Sequence, residues 1–108
     1  MEGFKKETVT EGNGERCPKG ANVLAHYTGR LPNGQKFDSS YDRKEPLQFR
    51  VGVGQVIRCW DEGITQMKKG EKAILTCPHE WAYGPRGIPN VIPPKSTLIF
   101  DVELVDFR

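Results

Sequence analysis

The chemistry available to this chain rests mainly on its aromatic side chains. Tyr27, Phe37, Phe49, Trp60, Tyr83 and Phe100 are six of its ten Phe, Trp and Tyr residues. Either they fill a core, or they wall an apolar concave site where a few polar groups orient a small apolar ligand. Asp38 directly follows Phe37 and also has two readings. It caps a turn, or it lies beside an apolar wall and needs hydrogen-bonding partners, because an unpaired buried carboxylate is costly. Nucleophilic chemistry finds little support: there is no Gly-x-Ser-x-Gly elbow, and no base can be assigned to Ser39-Ser40. Gly52-Val53-Gly54-Gln55-Val56-Ile57 superficially has dinucleotide-loop spacing. Ile57 stands at the third glycine position, however, and no parallel βαβ unit surrounds the segment.

Thiol and metal chemistry are equally sparse. Cys17, Cys59 and Cys77 are odd in number and lack CxxC spacing, so reduced thiols in a cytosol-like compartment are expected. Cys77 and His79 have no second ligand pair, and no metal site is expected. Cys59 lies near a predicted helix start, where a thiol can be activated; the expectation here is a small buried hydrophobe. A net charge of +2 from 16 basic and 14 acidic residues gives no electrostatic case for nucleic acid, and Lys5-Lys6 and Lys68-Lys69 are too short for a basic patch. Met1 to Thr10 holds no apolar run, so neither a signal peptide nor a membrane span is expected.

The elements that must position these residues follow from periodicity. Val23, Ala25 and Tyr27 alternate with Asn22, Leu24 and His26, Ala73, Leu75 and Cys77 with Lys72, Ile74 and Thr76, and Leu98, Phe100, Val102 and Leu104 stand opposite Asp101 and Glu103. Leu31-Pro32-Asn33-Gly34 has turn chemistry and leads into a second strand over Gln35 to Asp38. Ser39 to Pro46 interrupts, and Leu47 to Val51 resumes as strand. Ile57, Trp60, Ile64 and Met67 are spaced three, four and three, which predicts one helix ending near Lys68-Lys69 and stopped at Gly70. These elements give an α+β fold in a single domain over 1–108. Residues 81–94 hold four prolines and two glycines, which exclude helix or central strand. Their aromatic and branched side chains favour an ordered flap over a binding site rather than disorder.

Val56-Ile57-Arg58-Cys59-Trp60, Ala82-Tyr83-Gly84 and Ile92-Pro93-Pro94 resemble the FKBP-type peptidyl-prolyl isomerases. So do His26-Tyr27-Thr28-Gly29, Lys36-Phe37-Asp38-Ser39-Ser40 and Leu98 to Leu104, in the same order along nearly the whole chain. The resemblance implies a twisted antiparallel sheet of five or six strands curling around one short helix. It implies rotation about Xaa-Pro amide bonds in proline-containing peptides and proteins, with no cofactor and no metal, and binding of tacrolimus and rapamycin. It assigns catalysis to Asp38, Tyr83, Tyr27 and the Ile57 amide, with Asp38, Tyr27 and Arg43 as a polar triad. Ligand contacts are assigned to Tyr27, Phe37, Asp38, Arg43, Leu47, Phe49, Gln55, Val56, Ile57, Trp60, Tyr83, Ile88, Val91, Ile92 and Phe100.

The alternative reading is a binding module that regulates a partner, with incidental isomerase activity. The resemblance further implies calcineurin or TOR kinase as partners of a drug complex, and a cytoplasmic monomer. Several positions depart from the family's pattern: Leu47 replaces an aromatic, Gln55 an acidic residue, Cys59 a glycine and Ile88 a histidine. Asn90 stands where glycine is common. Gln55 is expected still to accept a hydrogen bond through its carbonyl.

Overall fold

A computed structural model describes residues 4–108. Met1 to Gly3, the start of the segment expected to lack a leader, lie outside the described residues. Among the described residues no helix is long and apolar enough to cross a membrane.

The strands are β1 (Lys5–Thr10), β2 (Asn13–Arg16), β3 (Asn22–Arg30), β4 (Lys36–Ser39), β5 (Leu47–Arg50), β6 (Lys68–Lys69), β7 (Lys72–Cys77) and β8 (Leu98–Phe107). The described residues also hold one α-helix, α1 (Arg58–Ile64), and a 3-10 turn at His79–Trp81. The main sheet has six strands in the order β1-β7-β8-β3-β4, with β5 also on β3. All its pairings are antiparallel. β5 pairs with the Asn22–Ala25 half of β3 and β4 with the Thr28–Arg30 half. The six-stranded sheet with one helix agrees with the α+β expectation.

Alternation decides which face is covered. Val23, Ala25 and Tyr27, then Ala73, Leu75 and Cys77, then Leu98, Phe100, Val102 and Leu104 are all buried. The helix packs on this face through Cys59, Trp60, Gly63 and Ile64. A Cβ on Gly63 would stand 2.9 Å from Leu75 Cδ1. Glycine is poor in a helix interior, yet here it lets the helix sit close on the sheet.

Three expectations need correction. The helix ends at Ile64 rather than near Lys69, and Lys68–Lys69 form β6, paired with β2. Met67 is fully buried, but in the turn after the helix, where its carbonyl accepts from the Cys17 amide at 2.8 Å. Burial in a turn therefore reproduced helical spacing. Gly70, at φ +82°, makes the tight turn from β6 into β7 instead of capping the helix. Finally, the thiols are not all reduced: Cys59 and Cys77 form a disulfide with Cα atoms 5.7 Å apart, inside the usual range. The two cysteines meet only because the helix start docks on the end of β7. Cys17 is left free and buried, its thiol pushed up to about 11 by desolvation.

Glu71 is a carboxylate that the sequence reading passed over. Its side chain is 6% exposed and accepts from Lys6 Nζ at 2.7 Å, Thr8 Oγ1 at 3.0 Å and the Lys68 amide at 3.0 Å. Burial alone would raise its pKa, but these donors outweigh it and hold the group below its ordinary value of 4.5. A depressed folded-state pKa gives stability that is present above 4.5 and lost as pH falls through the folded value. Glu71→Gln is expected to cost about 1–3 kcal/mol at neutral pH. The gap in urea midpoint between variant and wild type should close on acidification. A gap that persists once Glu71 is protonated would show that the charge is not what stabilises.

Candidate active site

One cleft of about 410 Å³ opens at the end of the sheet where the helix begins. Ten side chains line it: Tyr27, Phe37, Asp38, Leu47, Gln55, Val56, Ile57, Trp60, Tyr83 and Phe100. Each comes from a different constraint on the chain. Tyr27 and Phe100 stand on the buried faces of neighbouring central strands, at 6% and 2% exposure. Phe37 and Asp38 come from β4, and Leu47 from β5. Gln55, Val56 and Ile57 come from the turn between β5 and α1. Asp61 clamps that turn by accepting from the Gly52 amide at 2.7 Å and the Gly54 amide at 3.0 Å.

Trp60 lies in the first turn of α1, and its ring meets three others. Tyr27 is 4.7 Å away at 72°, Phe100 5.3 Å at 84° and Phe49 5.7 Å at 45°. Phe37 meets Phe100 at 5.7 Å and 79°. Edge-to-face contacts of this kind fix ring orientations beyond what burial alone does. The core and wall readings of the aromatics are therefore both realised, with Phe49 behind Trp60 and the other five on the cleft.

Asp38, Tyr27 and Arg43 form a closed polar triad. The Tyr27 hydroxyl donates to Asp38 Oδ2 at 2.5 Å, Arg43 Nη1 donates to Oδ1 at 2.7 Å, and Arg43 Nη2 donates to the Tyr27 hydroxyl at 2.8 Å. The Ser39 amide adds a bond to Oδ1 at 2.8 Å. Desolvation works to raise the Asp38 pKa, but these donors and the guanidinium charge bring it below its ordinary value. Asp38 is thus a fixed anion at the cleft edge. Tyr27 moves the other way, raised by burial and by its bond to Asp38. Both groups hold their form through the neutral range.

Two donors face no acceptor of their own. The Tyr83 hydroxyl and the Ile57 amide donate to no group among the described residues, and both residues line the cleft. Ile57 precedes the helix with φ −59° and ψ 151°, so its N–H stays outside the helical ladder while its carbonyl accepts from the Trp60 and Asp61 amides. Burial, then the Asp38 charge, raises the Tyr83 pKa and keeps its proton in place as a donor.

Five predicted contacts lie outside this lining. Arg43 acts through the triad, Phe49 through Trp60. Ile92 is 3% exposed and Ile88 packs on the core, whereas Val91 points outward at 47% exposure. Ile88 and Ile92 close a small bridge, with Asn90 between them at φ +65°. Asparagine tolerates that conformation, which accounts for its standing in for glycine. Of the flap, only Tyr83 reaches the cleft. The Gln55 carbonyl oxygen accepts from the Arg50 amide at 2.9 Å, which leaves its second lone pair and its NH2 group for the cleft.

A polar edge, an apolar wall and two unpaired donors, with no nucleophile among them, suit binding and orienting an amide. Residues 13–105 match the FKBP-type peptidyl-prolyl cis-trans isomerase family. The chain belongs to that family. It is 58% identical over 102 residues to FK506-binding protein 1 of Saccharomyces cerevisiae, covering 94% of this chain and 90% of the yeast protein. It is 55% identical over 104 residues to a peptidyl-prolyl cis-trans isomerase of Schizosaccharomyces pombe, covering 95% and 93%. The crystal structure of AtFKBP13 superposes with a TM-score of 0.92 at 43% identity, covering 98% of this chain and 94% of that one. The chain is an isomerase domain of this family, and the alternative of a regulatory binding module is not favoured.

Proposed function

We propose that the cleft takes up the prolyl ring of an Xaa-Pro segment and lowers the barrier to rotation of the preceding amide. The observation that carries this reading is the pairing of the Trp60 aromatic floor with the unpaired Tyr83 and Ile57 donors. Amide rotation costs ~18–20 kcal/mol because it breaks resonance. The twisted state is less polar than the planar amide, so a dry aromatic wall favours it over water. The Tyr83 hydroxyl and Ile57 N–H orient the substrate carbonyls, and the Asp38 triad supplies a fixed negative field without attacking anything. Each 1.36 kcal/mol of differential stabilisation is worth about tenfold in rate.

The same cleft suits tacrolimus and rapamycin, and a drug complex that presents the flap to calcineurin or TOR kinase follows from that reading. We place the activity in a monomer with one domain over 1–108. A cytoplasmic location loses the ground it had in reduced thiols, since Cys59 and Cys77 are bonded.

The test is turnover of short Xaa-Pro peptides with and without tacrolimus, together with Trp60 fluorescence in a Trp81→Phe background. Turnover that the drug abolishes supports the proposal. Tight drug binding with negligible turnover would support the binding module, and an unaltered spectrum at saturating drug would remove Trp60 from the site. Asp38→Ala is expected to lower turnover while the protein stays folded, because Arg43 is half-exposed to solvent and Tyr27 remains packed. Full activity in that variant would mean that desolvation suffices. Tyr83→Phe should cost only ~0.5–1.5 kcal/mol, the worth of one hydrogen bond.

A further inference from the structure

The Cys59–Cys77 bond joins the two chain segments from which the cleft takes its floor and one of its donors. Cys59 lies between Ile57, whose amide is unpaired, and Trp60, the floor. Cys77 ends β7, and Pro78 then leads through the 3-10 turn at His79–Trp81 to Tyr83. The bond closes a segment of sequence separation 18 that contains all of α1 except its first residue, Arg58. Both cysteines are 0% exposed.

The bond is the covalent tie at a helix start otherwise held by packing of Trp60, by the Asp61 bonds to the Gly52 and Gly54 amides, and by Arg58 over the Trp81 ring at 4.3 Å. α1 has seven residues, an N-cap without a side-chain hydrogen bond, and a glycine at Gly63. A helix this short is marginal without tertiary support.

We propose that Cys59 and Cys77 are redox-controlled positioning residues for the isomerase cleft. Oxidised, the bond fixes the helix start against β7, and with it Trp60 and the Ile57 amide. Reduced, two thiols must occupy at van der Waals separation the buried space that one bonded pair filled, and overfilled cores shift their neighbours. The adjacent neighbour at the helix start is Trp60.

The reductant is a dithiol, and the exchange balances. Transient opening of the helix start exposes Cys59 Sγ, one dithiol sulfur attacks it as thiolate, and Cys77 leaves as a thiolate that takes up a proton. The second dithiol sulfur then displaces Cys59, which is likewise protonated. The products are two protein thiols and a cyclic disulfide of the reductant.

The inference rests on the isomerase reading, so oxidised protein is assayed first; no turnover there counts against that reading alone. Alkylation under denaturing conditions should label one thiol, Cys17, before dithiothreitol and three after it. Turnover should then fall at least threefold on reduction, with KM for the peptide and tacrolimus affinity moving together, and recover on reoxidation. Cys59→Ser/Cys77→Ser should be fixed at the lower value and indifferent to dithiothreitol. Near-UV circular dichroism establishes that each form is folded. Three labelled thiols in protein refolded in an oxidising glutathione buffer would overturn the proposal. So would a reduced form, folded but with a lower Tm, whose kcat/KM is unchanged, since a purely structural staple moves Tm alone. If the double-serine protein failed to fold, reduced wild type against reoxidised wild type gives the same comparison.

Discussion

Replacing Trp60 with alanine should cost about 3–5 kcal/mol of stability, the range for truncating a buried large aromatic, and turnover should fall more than tenfold. The residue is 4% exposed and its ring touches Tyr27, Phe49 and Phe100. Removing it leaves three rings facing a void at the bottom of the cleft. Trp60→Phe separates the two effects. The indole Nε1 is buried without a partner among the described residues, and such an orphan donor itself costs about 1–3 kcal/mol. Phenylalanine removes that penalty while losing some packing, so its stability should lie much nearer to wild type. Urea unfolding with an unchanged m-value would show that the effect is on the native state. If Trp60→Ala retained full turnover, the floor of the cleft would lie elsewhere.

How much of this was legible in the sequence depended on whether a residue's role showed in local pattern. Val23-Ala25-Tyr27 and Leu98 to Leu104 announced their strands because one face is buried and the other is not. β1 gave no such signal: its side chains are almost all exposed, and backbone pairing to β7 holds it. Tyr27, Phe37, Trp60, Tyr83 and Phe100 could be named as cleft candidates, but composition alone could not separate wall from core. Phe49 and Phe37 have the same chemistry, yet Phe37 lines the cleft against Phe100 and Phe49 packs on Trp60 outside the lining. Arg43 reaches Asp38 from the turn after β4, a geometry that no spacing rule encodes. The Cys59–Cys77 bond escapes the sequence for a related reason. Cysteine counts carry information on frameworks of several bonds, and a single pair brought together by helix docking leaves no pattern. Gln55 has an acceptor oxygen by its chemistry, and only the position of the Arg50 amide shows that one of its lone pairs is used within the chain.

Gly29 is the position where sequence said least and the structure says most. It sits on β3 opposite Asp38 of β4 and Phe100 of β8. A Cβ there would stand 2.5 Å from Phe37 Cζ and 2.9 Å from Phe100 Cε1. Both rings line the cleft, and they are not equally free to yield. Phe100 is 2% exposed and hemmed by Tyr27 and Trp60, whereas Phe37 is only partly buried. Gly29→Ala should therefore displace Phe37 rather than Phe100, and the space open to Phe37 includes the cleft. Overpacking of this kind typically costs about 1–3 kcal/mol. The larger effect should be on binding, with kcat/KM and tacrolimus affinity both falling at least tenfold, equivalent to about 1.4 kcal/mol. Adding Phe37→Leu to Gly29→Ala relieves the clash and should restore most of the stability. It should not restore turnover fully, because the flat wall is gone. If Gly29→Ala lowered stability while leaving kcat/KM and drug affinity intact, Phe37 would have moved away from the cleft, and its ring would not be the wall that holds the proline.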